Sequence, residues 1–403
     1  TLFSYNCQRL YVIIKERNGG LDMKPIHLSI HSKLEDYLES HGYQAPTTIQ
    51  SSVIPLIREK QNILFISPTG SGKTLSYLIP ILESINPKLE QTQALVIVPT
   101  RELAIQVRDT VRSFEPVTDI QCSVLFGGSN PKSQKEVLKK HVPILVITPG
   151  KACELIKTKK LKTEHLSYLV FDEADLLTNK ERYRDSEDIV SSLSSQPQMI
   201  FCSATKTPKL EAFALNLQLK IIETEEKKND NIEQSFYRVE ESEKYHRLRQ
   251  ILEKEQIFHA LIFVRTKSKA TRLAQKLTDD HIPAIAFHHD LDKEKRKKVA
   301  QMISLNKPLL LVTTDIAARG IDITNLPYVI QYDAADSTET YLHRIGRTGR
   351  KNKGKSIIFF TEKEEELKQT IEHKYQVKLK KKKKNDDEKV VKKKKKKAFR
   401  SEA

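Results

Sequence analysis

Short, almost wholly apolar runs recur along the chain, each four or five residues long and most followed by a helix-like amphipathic stretch. In the first half they are Ile63–Ile66, Ala94–Val98, Ile144–Ile147, Tyr168–Phe171 and Met199–Cys202. The second half repeats the pattern at Ala260–Val264, Ala284–Phe287, Leu309–Val312, Tyr328–Tyr332 and Ser356–Phe360. A strand that is apolar at every position is buried on both faces. Such strands alternating with helices predict a parallel sheet covered by helices on both sides. The chain is therefore expected to be α/β, with two tandem lobes. Between the two series the stretch Thr224-Glu-Glu-Lys-Lys-Asn-Asp-Asn-Ile232 is polar and without period, as an interdomain tether is.

With 403 residues the chain exceeds one hydrophobic core. The pattern divides it into an N-terminal extension (1–22), a first lobe (23–223), a tether (224–232), a second lobe (233–377) and a tail (378–403). The extension begins at Thr1 and holds Leu10-Tyr-Val-Ile-Ile14, an apolar run too short for a signal peptide. Its status stays open between a transit peptide and part of a longer chain. No apolar run is long enough to cross a bilayer. The four cysteines (Cys7, Cys122, Cys153 and Cys202) show neither metal-ligand nor disulfide-scaffold spacing, which fits a reducing compartment.

Charge adds a second theme. From Lys378 to Ala403, thirteen Lys and one Arg stand against two Asp and two Glu, a surplus of ten out of the net +17. Like-charge runs of this kind stay disordered and bind polyanions, above all nucleic acid.

The candidate chemistry begins after Ile63–Ile66, where Ser67-Pro-Thr-Gly-Ser-Gly-Lys-Thr74 leads into a helix-like run. Strand, glycine-rich loop and helix form the context of a phosphate-binding loop. Backbone N–H groups of Thr69, Gly70, Ser71 and Gly72 would face phosphate oxygens, Lys73 would reach the β- and γ-phosphates, and Thr74 would ligate Mg²⁺. A second half-site closes the strand Tyr168–Phe171. There Asp172 is placed to hold the same metal and Glu173 to deprotonate an attacking water.

These two stretches, with what lies between and after them, resemble the DEAD-box RNA helicases of superfamily 2. The tetrad Asp172-Glu-Ala-Asp175 spells the family name, and the match runs in order from about Gly42 to Arg350. The resemblance implies two RecA-like domains, ATP and Mg²⁺ as cofactors and RNA as partner. It makes Gln50, in Gly42-Tyr-Gln-Ala-Pro-Thr-Thr-Ile-Gln50, the reader of adenine. It assigns RNA-backbone contacts to Pro99, Thr100, Arg101, Gly128, Thr148, Pro149 and Gly150 in the first lobe, and to Arg265, Thr314 and Arg319 in the second. Ser203, Ala204 and Thr205, with Asp175 and His343, would couple hydrolysis to strand separation. Gly320 and Asp322 would lie near the ribose, and Arg347 and Arg350 would be arginine fingers.

His343, Arg344, Arg347 and Arg350 are spaced so that a helical turn would gather them. The chain departs from the family pattern at Pro25, where an aromatic is usual, at Lys151, where Arg is usual, and within His288-His-Asp-Leu-Asp-Lys-Glu-Lys-Arg296.

The implied activity is an RNA-stimulated ATP hydrolase that binds RNA through its backbone and locally unwinds short duplexes or remodels RNA–protein complexes. The alternative is a non-unwinding, ATP-gated RNA clamp in a larger assembly, which would use the same residues. The expectation is a cytoplasmic monomer, or a nuclear or nucleolar one in a eukaryotic host. Its lysine tail would serve ribosomal or other ribonucleoprotein assembly.

Overall fold

A computed structural model describes residues 11–14, 32–43, 45–68, 70–128, 130–224, 231–288, 291, 299, 302, 308–318, 326–349, 353–375 and 377–382. The chain divides into two compact units, Thr1–Glu226 and Lys227–Ala403.

In the first unit the strands are β1 (Tyr11–Ile14), β2 (Ile63–Ile66), β3 (Ala94–Ile97), β4 (Cys122–Leu125), β5 (Ile144–Ile147), β6 (Tyr168–Asp172), β7 (Gln198–Ser203) and β8 (Lys220–Thr224). They lie in the order β1-β8-β2-β7-β6-β3-β5-β4, every pair parallel. The apolar runs have a direct structural reason. Alternate side chains enter opposite cores, with Phe65, Val96, Val146 and Val170 on one face and Leu64, Leu95, Leu145 and Leu169 on the other. Both cores are roofed by helices, so β2, β3, β5 and β6 are buried at every position.

The second unit holds β9 (Ile232–Arg238), β10 (Ala260–Phe263), β11 (Ala284–Phe287), β12 (Leu310–Thr313), β13 (Tyr328–Gln331), β14 (Gly354–Phe360) and β15 (Lys380–Lys381). Their order is β11-β12-β10-β13-β14-β9-β15, again parallel throughout. Ile262, Val312, Ile330 and Phe359 fill one core, and Leu261, Phe263, Leu311 and Val329 fill another.

Five strands were not expected, and four of them carry no continuous apolar run. β4 and β8 contain Ser123, Lys220 and Glu223, and β9 carries Glu233 and Gln234 among its apolar residues. The apolar run of the N-terminal extension is β1, paired with β8 from Tyr11↔Ile221 to Ile14↔Thr224. β15 lies inside the stretch read as a structureless tail. Leu379 is only 4% exposed, and Lys382 donates its backbone N–H to Phe236 at 3.0 Å, so the chain stays docked through Lys382. The rest of the tail is outside the described residues, as are Pro25 and positions 289 and 293–296.

Candidate functional site

The first unit gathers its chemistry at the C-terminal ends of three neighbouring strands. β2 pairs with β7 and β7 with β6, in a register that sets Ile66 against Ser203 and Asp172 against Cys202. After β2, the Ser67 amide donates to the Ser203 carbonyl at 3.0 Å. The chain then turns through Gly70 (φ +84°) and Gly72 (φ +93°) into the helix Lys73–Ser84. At Gly72 two constraints meet. The backbone is left-handed, and a Cβ would stand 2.5 Å from Gln50 Nε2.

The Lys73 ammonium donates to the carbonyls of Ser67 (2.7 Å) and Pro68 (2.9 Å), both in its own loop. Burial pulls its pKa below the usual lysine value, against the opposing pull of Cys202, Asp172 and Glu173. Thr74 follows on the same helix turn. A hydroxyl there and the Asp172 carboxylate are hard oxygen donors, which suit Mg²⁺.

Gln50 is tied to this loop. It completes a capping box for the helix Thr48–Arg58, accepting from Thr47 N at 2.9 Å, and its Nε2 donates to Gly72 O at 3.3 Å. The Thr47 hydroxyl donates to Ser71 O at 2.6 Å. Helix cap and phosphate loop are thus one hydrogen-bonded unit, with the Gln50 amide on the loop's flank.

Asp172 ends β6 at 4% exposure. Its Oδ1 accepts from the Glu173 amide (2.8 Å) and the Cys202 thiol (3.0 Å), and its Oδ2 accepts from the Tyr77 hydroxyl (2.9 Å). Burial, followed by the charge of Asp172, raises the pKa of both Tyr77 and Cys202 well above their usual values. Both therefore keep their protons. Glu173 leaves the strand at φ +52°, a sparsely populated backbone region for a non-glycine residue.

Asp175 accepts from Ser203 Oγ and from Thr205 Oγ1, each at 2.8 Å. Sequence proximity put Ser203, Ala204 and Thr205 in one motif. The fold hangs that motif on the last carboxylate of the tetrad.

Two further strand ends supply the residues expected to face RNA. Thr100 caps the helix Arg101–Ser113 after β3, and Thr148 is the N-cap of the helix Pro149–Lys157 after β5. β3 and β5 are neighbours, so two helix N-termini open side by side, a setting that favours anions. The Arg101 guanidinium bonds the Gly127 carbonyl and lies 5.2 Å from the Phe126 ring centre. Gly128 packs against the same guanidinium. Lys151 does not join this group. It is buried, and its ammonium pairs with Glu154 at 2.7 Å.

In the second unit, Arg265 follows β10, with its amide on Asp333 (3.0 Å) and its guanidinium on Glu364 (2.5 Å). Thr314 is buried at the end of β12. The expected helical cluster of basic residues is corrected here. The helix Thr338–Ile345 carries His343 and Arg344, but ends before Arg347, which lies in the following turn. Nor is this a solvated face. Arg344 is 1% exposed, bonds Asp315 at 2.6 and 2.7 Å, reaches the Asp333 carbonyl at 2.6 Å and lies over the Phe263 ring. It ties the loop after β12 to β13 and is a structural arginine. Thr69, Arg319, Gly320, Asp322 and Arg350 fall outside the described residues.

Sequence patterns missed Tyr77, Cys202, Asp315 and Asp333. Asp333 carried a usable signal, because a carboxylate just past a strand is what singled out Asp172. It organises more than Arg265, since Lys269 (2.6 Å) and buried Lys244 (3.3 Å) also converge on it. Among the described residues no helix is long and apolar enough to cross a membrane.

The chain matches known family models over most of its length. The DEAD/DEAH box helicase model covers residues 47–213, and the helicase conserved C-terminal domain model covers residues 243–352. The chain belongs to the DEAD-box ATP-dependent RNA helicases and is an enzyme of that class, an RNA helicase and ATP hydrolase.

Among its relatives is the DEAD-box ATP-dependent RNA helicase CshC of Bacillus cereus, 35% identical over 86% of this chain and 88% of the relative. Another is the ATP-dependent RNA helicase DbpA of Bacillus subtilis, 37% identical over 80% of this chain and 69% of the relative. Among solved structures, S. cerevisiae Dbp5 bound to RNA and ADP BeF3 superposes with a TM-score of 0.79 at 27% identity, covering 90% of this chain and 97% of that one.

Proposed function

We propose that this protein hydrolyses ATP in response to RNA and uses the cycle to separate short RNA duplexes or to remodel RNA–protein complexes. The observation that carries this reading is the convergence of Lys73, Asp172 and the Asp175–Ser203–Thr205 cluster on three adjacent strand ends. Nucleotide chemistry and the coupling motif share one carboxylate-bearing segment, Asp172–Asp175.

Lys73, held by neutral carbonyls, exchanges them for phosphate oxygens. Thr74 and Asp172 would hold Mg²⁺, which neutralises developing charge on the phosphates when bound. Glu173, just past the metal-side carboxylate, takes the proton of the attacking water. Arg347 and Arg350 act as fingers when the second unit closes on nucleotide, a contribution on the order of 10³–10⁵ in rate. RNA lies along the helix N-termini beside Arg101 and Gly150 and is read through phosphates and 2′-hydroxyls rather than bases. The lysine tail adds sequence-independent affinity for RNA and for ribonucleoprotein surfaces.

The deciding experiment measures phosphate release with no nucleic acid, with single-stranded RNA and with matched DNA, for ATP and for GTP, alongside displacement of a labelled short RNA strand. Stimulation by RNA alone, preference for ATP and strand displacement are expected. Equal stimulation by DNA overturns the RNA reading, and RNA-stimulated turnover without displacement makes the protein an ATP-gated clamp.

A further inference from the structure

The oxygens of Asp172 are not equivalent. Oδ1 accepts from two donors, the Glu173 amide at 2.8 Å and the Cys202 thiol at 3.0 Å. Oδ2 accepts from one, the Tyr77 hydroxyl at 2.9 Å. A carboxylate oxygen accommodates about two donors, so Oδ1 is filled and Oδ2 keeps one acceptor direction. We propose that Tyr77 and Cys202 are positioning residues for the metal-site carboxylate, fixing the Asp172 rotamer and leaving Oδ2 as the oxygen presented to the Mg²⁺–nucleotide complex. The inference rests on the ATP-hydrolysis reading above and adds two residues to it.

Three separate segments supply the donors, which is what holds a short side chain still. Tyr77 stands four residues after Lys73 on the helix Lys73–Ser84, hence on the same face one turn on. Cys202 is the cross-strand neighbour of Asp172 in the β6–β7 pair. Glu173 is the next residue along the chain. Tyr77 and Cys202 are both fully buried, so water does not replace either donor. Without them the buried carboxylate would lose its solvation and its fixed direction together. Mg²⁺ demands near-ideal octahedral geometry, so a rotated ligand is a poor one. Outer-shell partners of this kind typically govern metal affinity by roughly 10–100-fold.

A purely structural role makes a different prediction. There Tyr77 and Cys202 merely satisfy themselves on the nearest acceptor, and their loss weakens nucleotide binding alike with and without metal. The test uses the full chain with Tyr77→Phe, Cys202→Ala and Cys202→Ser, each of which removes or keeps a single donor at nearly constant volume. The probe is a fluorescent N-methylanthraniloyl ADP, titrated first in EDTA and then with rising Mg²⁺.

Expected are an unchanged Kd in EDTA and a Mg²⁺ midpoint raised about 10-fold in Tyr77→Phe. The thiol is the weaker donor, so the rise is smaller in Cys202→Ala, and Cys202→Ser, which keeps a donor, restores the wild-type midpoint. A wild-type midpoint in Tyr77→Phe, or equal weakening with and without Mg²⁺, overturns the proposal. A wild-type chain that binds no nucleotide under either condition instead defeats the ATP-hydrolysis reading beneath it.

Discussion

Ser203 donates its hydroxyl to Asp175 across 2.8 Å, while Thr205 takes the other oxygen of the same carboxylate at the same distance. Asp175 lies three residues past Asp172, and Ser203 ends the strand beside it. Any shift of the tetrad on hydrolysis is therefore passed to the segment that follows β7. Replacing both hydroxyls, Ser203→Ala with Thr205→Ala, removes that link without touching Lys73, Asp172 or Glu173. Phosphate release is expected to stay within a few-fold of wild type while RNA strand displacement falls at least about ten-fold, a difference of ~1.4 kcal/mol in coupling. A matched loss of both activities would place the hydroxyls in hydrolysis itself.

Glu173 follows Asp172, the proposed Mg²⁺ ligand, in a left-handed backbone conformation. Glu173→Gln keeps the size and removes the carboxylate proposed as the base. ATP and RNA binding are expected to persist while turnover drops by roughly 10²–10⁴, the usual contribution of a positioned general base. Normal turnover in this variant would assign proton removal elsewhere.

Asp333 joins Lys269, Lys244 and the Arg265 amide in one buried network. Burial alone would raise its pKa, but the donors from Lys269 and Arg265 and the charges of Lys244 and Lys269 outweigh it and hold the carboxyl below its usual 3.8. A depressed carboxyl stabilises the fold above its unfolded pKa and loses that stabilisation as pH falls through the folded one. Thermal melts should accordingly drop as pH falls below about 4. Asp333→Asn should melt lower than wild type at pH 7 and lose less on acidification. An identical acid profile in the two proteins would remove Asp333 as the titrating group.

The docked start of the lysine tail changes where a truncation should be made. Deleting residues 383–403 removes most of the lysine surplus and keeps Leu379 and β15. RNA affinity should weaken and its dependence on salt should flatten, with intrinsic ATPase unchanged. A cut before Lys378 also removes Leu379, which is 4% exposed, and the Lys382–Glu255 pair at 2.8 Å. That protein should melt lower as well. Equal RNA affinity in the shorter truncation and wild type, at low and moderate salt, would show that the tail does not bind RNA.

The sequence by itself determined the central strands of both sheets, because a strand buried on two faces must be apolar at every position, as Ile63–Ile66 and Ala260–Phe263 are. It also marked the glycine turn before Lys73 and the Asp172–Asp175 strand end, both of which the fold sets directly after buried strands. Strands toward the sheet margins were beyond it. β4, β8, β9 and β15 mix polar with apolar side chains or carry charge throughout, and the apolar run of β1 is short and isolated; each is a strand because a neighbour supplies its hydrogen bonds. The charged residues divided the same way. From the sequence, Arg344 and Arg347 looked alike. Tertiary packing placed Asp315 beside one of them and made it a structural ion pair, and it brought Tyr77 and Cys202 to Asp172 from positions 95 and 30 residues away. Such contacts depend on which strands become neighbours, and strand order is fixed only when two helix-covered faces are packed at once.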